Sequence, residues 1–450
     1  MEEVDEEVLS PELGKERPWR SRRTASVRIR IAYASREGGG PIAKTITLIR
    51  HAETNANNQR RWQGSLDSGL SDLGIDQVRR LEQRFRDERP VRTVASDLAR
   101  TMETAAAIST EIAPDPAWRE FHVGGWEGLT TDEITVRFPG QLEAFFAGED
   151  IAPGGGELMS DFADRVMGAF EGLVATMADG DHTHVVTHGG VIWTLLSRLL
   201  GRSGRRAPLS ISFNTAVTVI TIPDSERPQL TVFNDATHLN ESVVHFGPEG
   251  HLVTLFRHGQ TEGNLLGRWQ GHTDSPLTDL GKQQATAVAA HAPAMGQLYT
   301  SPLGRTRETA ELLGRPFGLD PRQDEGFKEM SFGTWENLTS DEARVVEPGL
   351  YEQIYEFGND LPRGGDGETF TDAGKRMADT VRSVVAGADS DIGVVSHGAV
   401  IRAYIVNIME LGFARRDTFP VPRNTSMTSV LYGESHPILT SYNVAPHLEP

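Results

Sequence analysis

The feature that most constrains this chain is that it says the same thing twice. Leu48-Ile49-Arg50-His51-Ala52-Glu53-Thr54 returns as Leu255-Phe256-Arg257-His258-Gly259-Gln260-Thr261. Arg61-Trp62-Gln63-Gly64 returns as Arg268-Trp269-Gln270-Gly271, and Thr187-His188-Gly189 as Ser396-His397-Gly398. His51 and His258 lie 207 residues apart, and His188 and His397 lie 209 apart. Solenoid units are far shorter, so each copy is read as a whole domain. The expected division is residues 44–239 for the first copy and 252–450 for the second. Between them residues 240–251 form a linker punctuated by Gly247, Pro248 and Gly250. Residues 1–43 have no counterpart in the second copy. They open with carboxylates, pass through several arginines and end at Gly38-Gly39-Gly40, and we read them as a flexible tail.

Each copy patterns as α/β. Ile46, Leu48 and Ile49 form a short apolar run of strand type, and a helix begins at Ser71 with Leu73, Val78, Leu81 and Phe85 as its apolar stripe. A strand over 94–96 leads into a second helix, and His184-Val185-Val186 is a further strand that stops at His188. Strands alternating with helices predict two tandem three-layer α/β/α domains, each a mostly parallel sheet with helices on both faces. Ligands in such sheets gather at the carboxyl ends of strands, where Arg50-His51, His188, Arg257-His258 and His397 fall.

Composition removes several classes of function. No cysteine is present, which excludes disulfides, thiolate metal sites and a cysteine nucleophile. A formal charge of −19 argues against nucleic-acid or anionic-membrane partners. The acidic opening residues lack an apolar signal core, and no apolar run has the length of a membrane span, so a cytoplasmic enzyme is expected. With so acidic a surface, a site for an anionic substrate has to create its own positive field.

Phosphoryl transfer to water needs cationic donors around the peripheral oxygens, an in-line nucleophile and an acid for the leaving alkoxide. Both copies carry arginine–histidine pairs at strand ends and a later arginine, Arg100 or Arg305, opening a helix after Ser-x-Leu. Small residues after His188 leave room for an oxyanion near backbone, and the helix N-terminus at Arg100 offers further anion affinity. Taken singly, each motif is weak, since an isolated histidine is more often a surface or core residue. Their co-occurrence, in one order and twice over, carries the reading.

The segment Arg-His-(Gly/Ala)-x-Thr-x-x-Asn, the later Ser-x-Leu-x-Arg and the final His-Gly pair resemble the histidine phosphatase superfamily, which includes cofactor-dependent phosphoglycerate mutases. That resemblance covers nearly all of both copies. It implies a phosphohistidine on His51 and on His258. It implies phosphate pockets of Arg50, Asn57, Arg100 and His188 in one copy and Arg257, Asn264, Arg305 and His397 in the other. It further implies a carboxylic acid ahead of the Gly-x-Trp-Glu element, Glu120 and Glu329, with Glu127 and Glu336 as weaker candidates. The glycine-rich stretches at 154–157 and 364–368 resemble a loop that family members hold near substrate. Ala52, where the second copy has Gly259, is compatible with the role if its φ is negative and its carbonyl orients the histidine.

The resulting expectation is a phosphomonoester hydrolase acting on a small phosphorylated metabolite, with no metal and no cofactor. The chain is expected to be monomeric, its two domains forming an internal pseudo-dimer. Two alternatives are a mutase working through the same phosphohistidine and a non-catalytic phospholigand binder. The compact repeats argue against the first, and the complete residue sets against the second. Because Asn58-Gln59-Arg60-Arg61 stands where the second copy has Leu265-Leu266-Gly267-Arg268, the first site is expected to favour more anionic substrates and the second more apolar ones. Trp62 and Trp269 read equally as packing or as pocket wall.

Overall fold

The computed structural model describes residues 43–88, 90–202, 207–223, 227–239, 250–433 and 436–448. Residues 1–42 of the expected tail and most of the expected linker lie outside the described residues.

In the first copy β1 (Lys44–Arg50), β2 (Arg92–Ala95), β3 (Ile112–Pro114) and β4 (His182–Thr187) run parallel, in the order β3-β2-β4-β1. An antiparallel pair, β5 (Val217–Ile222) and β6 (Gln229–Asp235), continues the sheet beyond β1. The second copy repeats this with β7 (His251–Arg257), β8 (Gln297–Thr300), β9 (Arg322–Gln323), β10 (Ile392–Ser396), β11 (Met427–Tyr432) and β12 (Ile438–Val444). Its order from the inner edge is β12-β11-β7-β10-β8-β9. The central strands β1, β4, β7 and β10 are buried along nearly their whole length, as parallel strands covered on both faces must be.

The two sheets are one. β6 pairs antiparallel with β12, giving a continuous twelve-stranded sheet with the copies related by an internal pseudo-twofold. The seam is reciprocal. Asn234 Nδ2 donates to Thr440 O at 2.8 Å, and Asn443 Nδ2 donates to Thr231 O at 2.9 Å. Both asparagines hold positive φ, 56° and 54°, a conformation asparagine adopts more readily than most residues. Pairing β6 with β12 leaves neither edge exposed to other chains. The antiparallel strands and this junction are absent from the sequence-based picture.

Local signals place the segments that carry the candidate site residues. Ser71 caps the helix Asp72–Phe85 by accepting from Gly74 N, as the sequence predicts. The stripe on that helix is only partly apolar: Leu81 and Phe85 are buried, but Leu73 is exposed and Gln77 and Arg84 are buried instead. Both polar side chains have bonding work. Gln77 Oε1 accepts from Glu53 N, and Arg84 forms a buried ion pair with Asp235 at 2.7 Å. Residues Thr54 and Thr261 build matching capping boxes for the short helices Asn55–Asn58 and Glu262–Leu265. Among the described residues, no helix is long and apolar enough to cross a membrane.

Candidate active sites

At the carboxyl end of β1, His51 is buried and its Nδ1 lies 2.8 Å from Ala52 O. A carbonyl only accepts, so Nδ1 carries the proton and Nε2 presents a lone pair. His258 repeats this with Gly259 O at 2.7 Å. Ala52 is not among the positive-φ residues, so its carbonyl does for His51 what Gly259 does for His258. The second histidine faces the first: ring centroids are 5.2 Å apart for His51 and His188, and 5.2 Å for His258 and His397. His188 Nε2 is bonded to Ser96 Oγ and His397 Nε2 to Ser301 Oγ, each at 2.9 Å.

The arginines are anchored through their terminal nitrogens. Arg100 donates from Nη1 to Leu66 O and Asp67 Oδ1 and from Nη2 to Gly64 O; Arg305 does the same with Thr273 O, Asp274 Oδ1 and Gly271 O. Arg50 Nη1 reaches Ser212 O at 2.6 Å, and Arg257 Nη1 reaches Pro422 O at 2.8 Å. What remains is alike in both copies. Arg50 Nε, Arg100 Nε and His188 Nδ1 are buried without a protein partner, and so are Arg257 Nε, Arg305 Nε and His397 Nδ1. Three buried orphan nitrogens beside a nucleophile-type imidazole form a cradle that an anion satisfies, because unpaired buried polar groups are costly.

Electrostatics follow from that crowding. Burial, reinforced by the charges of Arg100 and Arg50, holds His51 well below the usual histidine range, and Arg305 and Arg257 do likewise for His258. His188 and His397 are depressed for the same reasons. Desolvation lowers Arg50 and Arg257 to about 10, which leaves both protonated at neutral pH. An imidazole kept neutral among fixed positive charges has the chemistry to attack a phosphoryl group held there.

The carboxylates Glu120 and Glu329 also meet this site. Glu120 accepts from Phe121 N and Gly190 N. Glu329 accepts from Met330 N, Ala399 N and Val400 N. Both therefore cap the helix that follows the second histidine. Arg165, paired with Glu157, donates to the carbonyls of Ala117, Arg119 and Glu120 and so fixes that segment; Arg376 and Glu368 do the same for Glu329. The glycine-rich loops thus brace the acid segment. Glu127 and Glu336 are occupied elsewhere: they accept from Ser65 N and from His272 N and Thr273 N, holding the loop whose carbonyls anchor Arg100 and Arg305.

Asn57 and Asn264 reach the site through their caps. Their side-chain oxygens accept from Thr54 N and Thr261 N, which leaves the amide nitrogens as the groups free to turn to a ligand. Asn214 and Asn424 span from these oxygens to the carbonyls of His51 and His258. These two asparagines, Ser96, Ser301, Asp67 and Asp274 were not among the expected site residues. All recur between the copies, and extending the repeat comparison past the named motifs would have found them.

Three expectations need correction. The helix N-terminus at Arg100 is not open to an anion, because Asp67 already accepts from Ala99 N, and Asp274 does so from Gly304 N. Gly189 and Gly398 make room for neighbouring side chains: a Cβ there would stand 2.9 Å from Ile211 Cγ2 and 3.3 Å from Arg50 Nε, or 2.7 Å from Val421 Cγ1 and 3.1 Å from Arg257 Nε. Nor is Arg61, in the divergent loop of the first copy, a free cation for a more anionic substrate. Arg61 is spent on Gly128 O and Glu133, and Leu265 and Leu266 face solvent. The space beside Glu120 is instead a cavity of about 1130 Å³, walled by Trp62, Phe121, Trp193 and Ile211 and reaching Arg382 and Asn407 of the second copy. Trp62 is thus both packing, edge-on to Trp126, and pocket wall.

The model of the histidine phosphatase superfamily (branch 1) matches residues 46–236 and, again, 253–445. This chain belongs to that superfamily. It is a tandem histidine phosphatase, with two family domains in one polypeptide. Phosphoglycerate mutase-like protein 4 of Arabidopsis thaliana is 35% identical over 227 residues, covering 48% of this chain and 94% of the relative. The metal-independent phosphoserine phosphatase of the same plant is 34% identical over 203 residues, 43% of this chain and 83% of the relative. Glucosyl-3-phosphoglycerate phosphatase of Mycolicibacterium vanbaalenii is 35% identical over 168 residues, 35% of this chain and 75% of the relative. Each of these relatives matches less than half of this tandem histidine phosphatase.

Proposed function

We propose that this histidine phosphatase hydrolyses phosphomonoesters of small metabolites at two sites, one in residues 44–239 and one in 252–450, without a metal or cofactor. The observation that carries the reading is the duplicated cradle: a neutral imidazole with its Nε2 lone pair exposed, next to three buried nitrogens that lack partners. In the first step His51 Nε2, or His258 Nε2, forms a bond to phosphorus as the ester P–O bond breaks. Glu120 or Glu329 gives its proton to the departing alkoxide. In the second step the same carboxylate takes a proton from water, whose oxygen attacks phosphorus as the P–N bond breaks, and inorganic phosphate leaves. Arg50, Arg100 and His188, or Arg257, Arg305 and His397, hold the peripheral oxygens throughout, with Asn57 and Asn264 as further donors. Ser96 or Ser301, donating to Nε2 of the second histidine, puts that ring's proton on Nδ1, where it faces the anion.

The relatives named for phosphoserine and glucosyl-3-phosphoglycerate support hydrolysis of a phosphorylated metabolite over isomerisation. The apolar cavity beside Glu120 favours a bulky leaving group at the first site. Lack of cysteine and the acidic composition fit a cytoplasmic enzyme, and the fused sheet fits a monomer. The test is phosphate release across a metabolite panel in excess chelator, for wild type, His51→Ala, His258→Ala and the double variant. Activity should survive chelation and each single change, and vanish in the double variant. Loss on chelation that a divalent cation restores would refute the metal-free reading. Loss in either single variant would refute independent sites, and rapid interconversion of 3- and 2-phosphoglycerate would favour a mutase.

A further inference from the structure

We propose that Glu88, His182 and His184 form a binding site for a zinc-class divalent cation, built into the first copy alone and remote from its chemistry. His182 and His184 are two apart on β4, so strand alternation puts both on one face. Their ring centroids are 4.7 Å apart, His184 Nε2 lies 3.0 Å from Glu88 Oε2, and one ligand atom from each of the three lies within 4.8 Å of the others. His188, at the far end of the strand, is four residues on, about 13 Å along the strand.

A second observation marks the place as a site. Thr47 on β1 and Thr93 on β2 flank His184 in register, which places a hydroxyl on either side of its imidazole. His184 Nδ1 and Thr93 Oγ1 are both buried without a partner. Thr47 Oγ1 is 2.8 Å from His182 Nε2, the kind of outer hydrogen bond that orients a ligating ring.

The second copy shows what the same layer looks like when only packing is required. There Thr254, Gly393 and Leu298 align in the register of Thr47, His184 and Thr93. Met295 fills the space over Gly393 where a side chain would project. One copy therefore closes this layer with methionine, glycine and leucine. The other buries a carboxylate and an imidazole that pair with each other at 3.0 Å, and leaves His184 Nδ1 and Thr93 Oγ1 without partners beside them. Two imidazoles and a carboxylate are a common zinc ligand set, and tetrahedral bonds of 2.0–2.2 Å put ligand atoms about 3.3–3.5 Å apart. Glu88 and His184 already stand near that separation, and the half-buried His182 is the ligand that closes in. The ion would pin the segment after helix Asp72–Phe85 to β4. It has no part in phosphoryl transfer.

The test uses the full chain, stripped with chelator, equilibrated with buffered zinc and assayed for bound metal by mass spectrometry. One zinc per chain is expected in wild type and also in the His51→Ala/His258→Ala double variant, which rules out zinc on the catalytic-site histidines. His182→Asn and Glu88→Gln should each lose it. Zinc at a hundredfold excess over its dissociation constant should raise the thermal midpoint of wild type by about 5 °C and leave phosphate release unchanged. Equal zinc content in wild type and His182→Asn, or no stoichiometric zinc in wild type, overturns the site. Should the variants fail to fold, cobalt titration of wild type decides: absence of the visible bands of a tetrahedral nitrogen- and oxygen-ligated ion overturns it equally.

Discussion

Replacing Arg305 by lysine in a His51→Ala background isolates one donor at the second site. Arg305 is buried; its Nη1 and Nη2 serve Thr273 O, Asp274 and Gly271 O, and only Nε is left without a partner. Lysine carries a single nitrogen, one bond beyond the Nε position and one bond short of the Nη positions. Seated at the Gly271 and Asp274 oxygens it keeps the loop anchored but vacates the Nε position; seated at the anion it abandons the loop. The first outcome is favoured, since Asp274 and two carbonyls would otherwise lose their cation. One preorganised donor to the transferring group is worth about 2.7–4 kcal/mol, or roughly 10²–10³ in rate. Losing one loop hydrogen bond costs only about 0.5–1.5 kcal/mol of stability. Expected, then, is a fall of two to three orders of magnitude in kcat/KM for phosphate release, with a small drop in denaturant midpoint. Retention of kcat/KM within about threefold would refute Nε as a phosphate donor. A stability loss as large as the catalytic one would make Arg305 chiefly structural.

Gly259→Ala should destabilise the chain by about 1–3 kcal/mol, because the new Cβ would stand 2.9 Å from Gly281 C and closer still to its carbonyl oxygen. Ala52→Gly, removing a methyl that the first copy already accommodates, should cost less; equal denaturation midpoints for the two variants would contradict the difference between the copies. Acid should weaken the fold. His51, His188, His258 and His397 are all depressed in the folded state by burial and the neighbouring arginines, so between their folded values and the ordinary value of about 6.5 the unfolded chain binds more protons. Stability therefore falls as pH drops below about 6.5, and a denaturant midpoint that stays flat from about pH 7.5 to 5.5 would contradict this.

Much of the candidate site was legible because chemistry-bearing residues repeat in fixed order. Duplication acts as an internal comparison: Arg50, His51, Arg100, Glu120 and His188 stand out because Arg257, His258, Arg305, Glu329 and His397 answer them. Period and caps also exposed the parallel core strands and the start of the helix at Ser71, since alternation, apolar runs and N-caps are local properties of the chain.

Other features depended on which segments meet. Gln77 and Arg84 sit on the buried face of an apparently ordinary amphipathic helix because Glu53 and Asp235, far away in sequence, come to bond them. Asp67 occupies the helix end that looked ready for an anion, and Ile211 and Arg50 occupy the space that Gly189 leaves. The junction of β6 with β12 rests on two asparagines at positive φ that reach across to backbone carbonyls in the other copy. Glu88, His182 and His184 escaped notice for the same reason. A His-x-His step on a strand carries no ligand spacing of its own, and its carboxylate arrives from the end of a helix 94 residues earlier than His182. Residue identity and repetition fix what each strand end carries, while the packing of distant segments decides which polar groups are already satisfied and which stay open to a ligand.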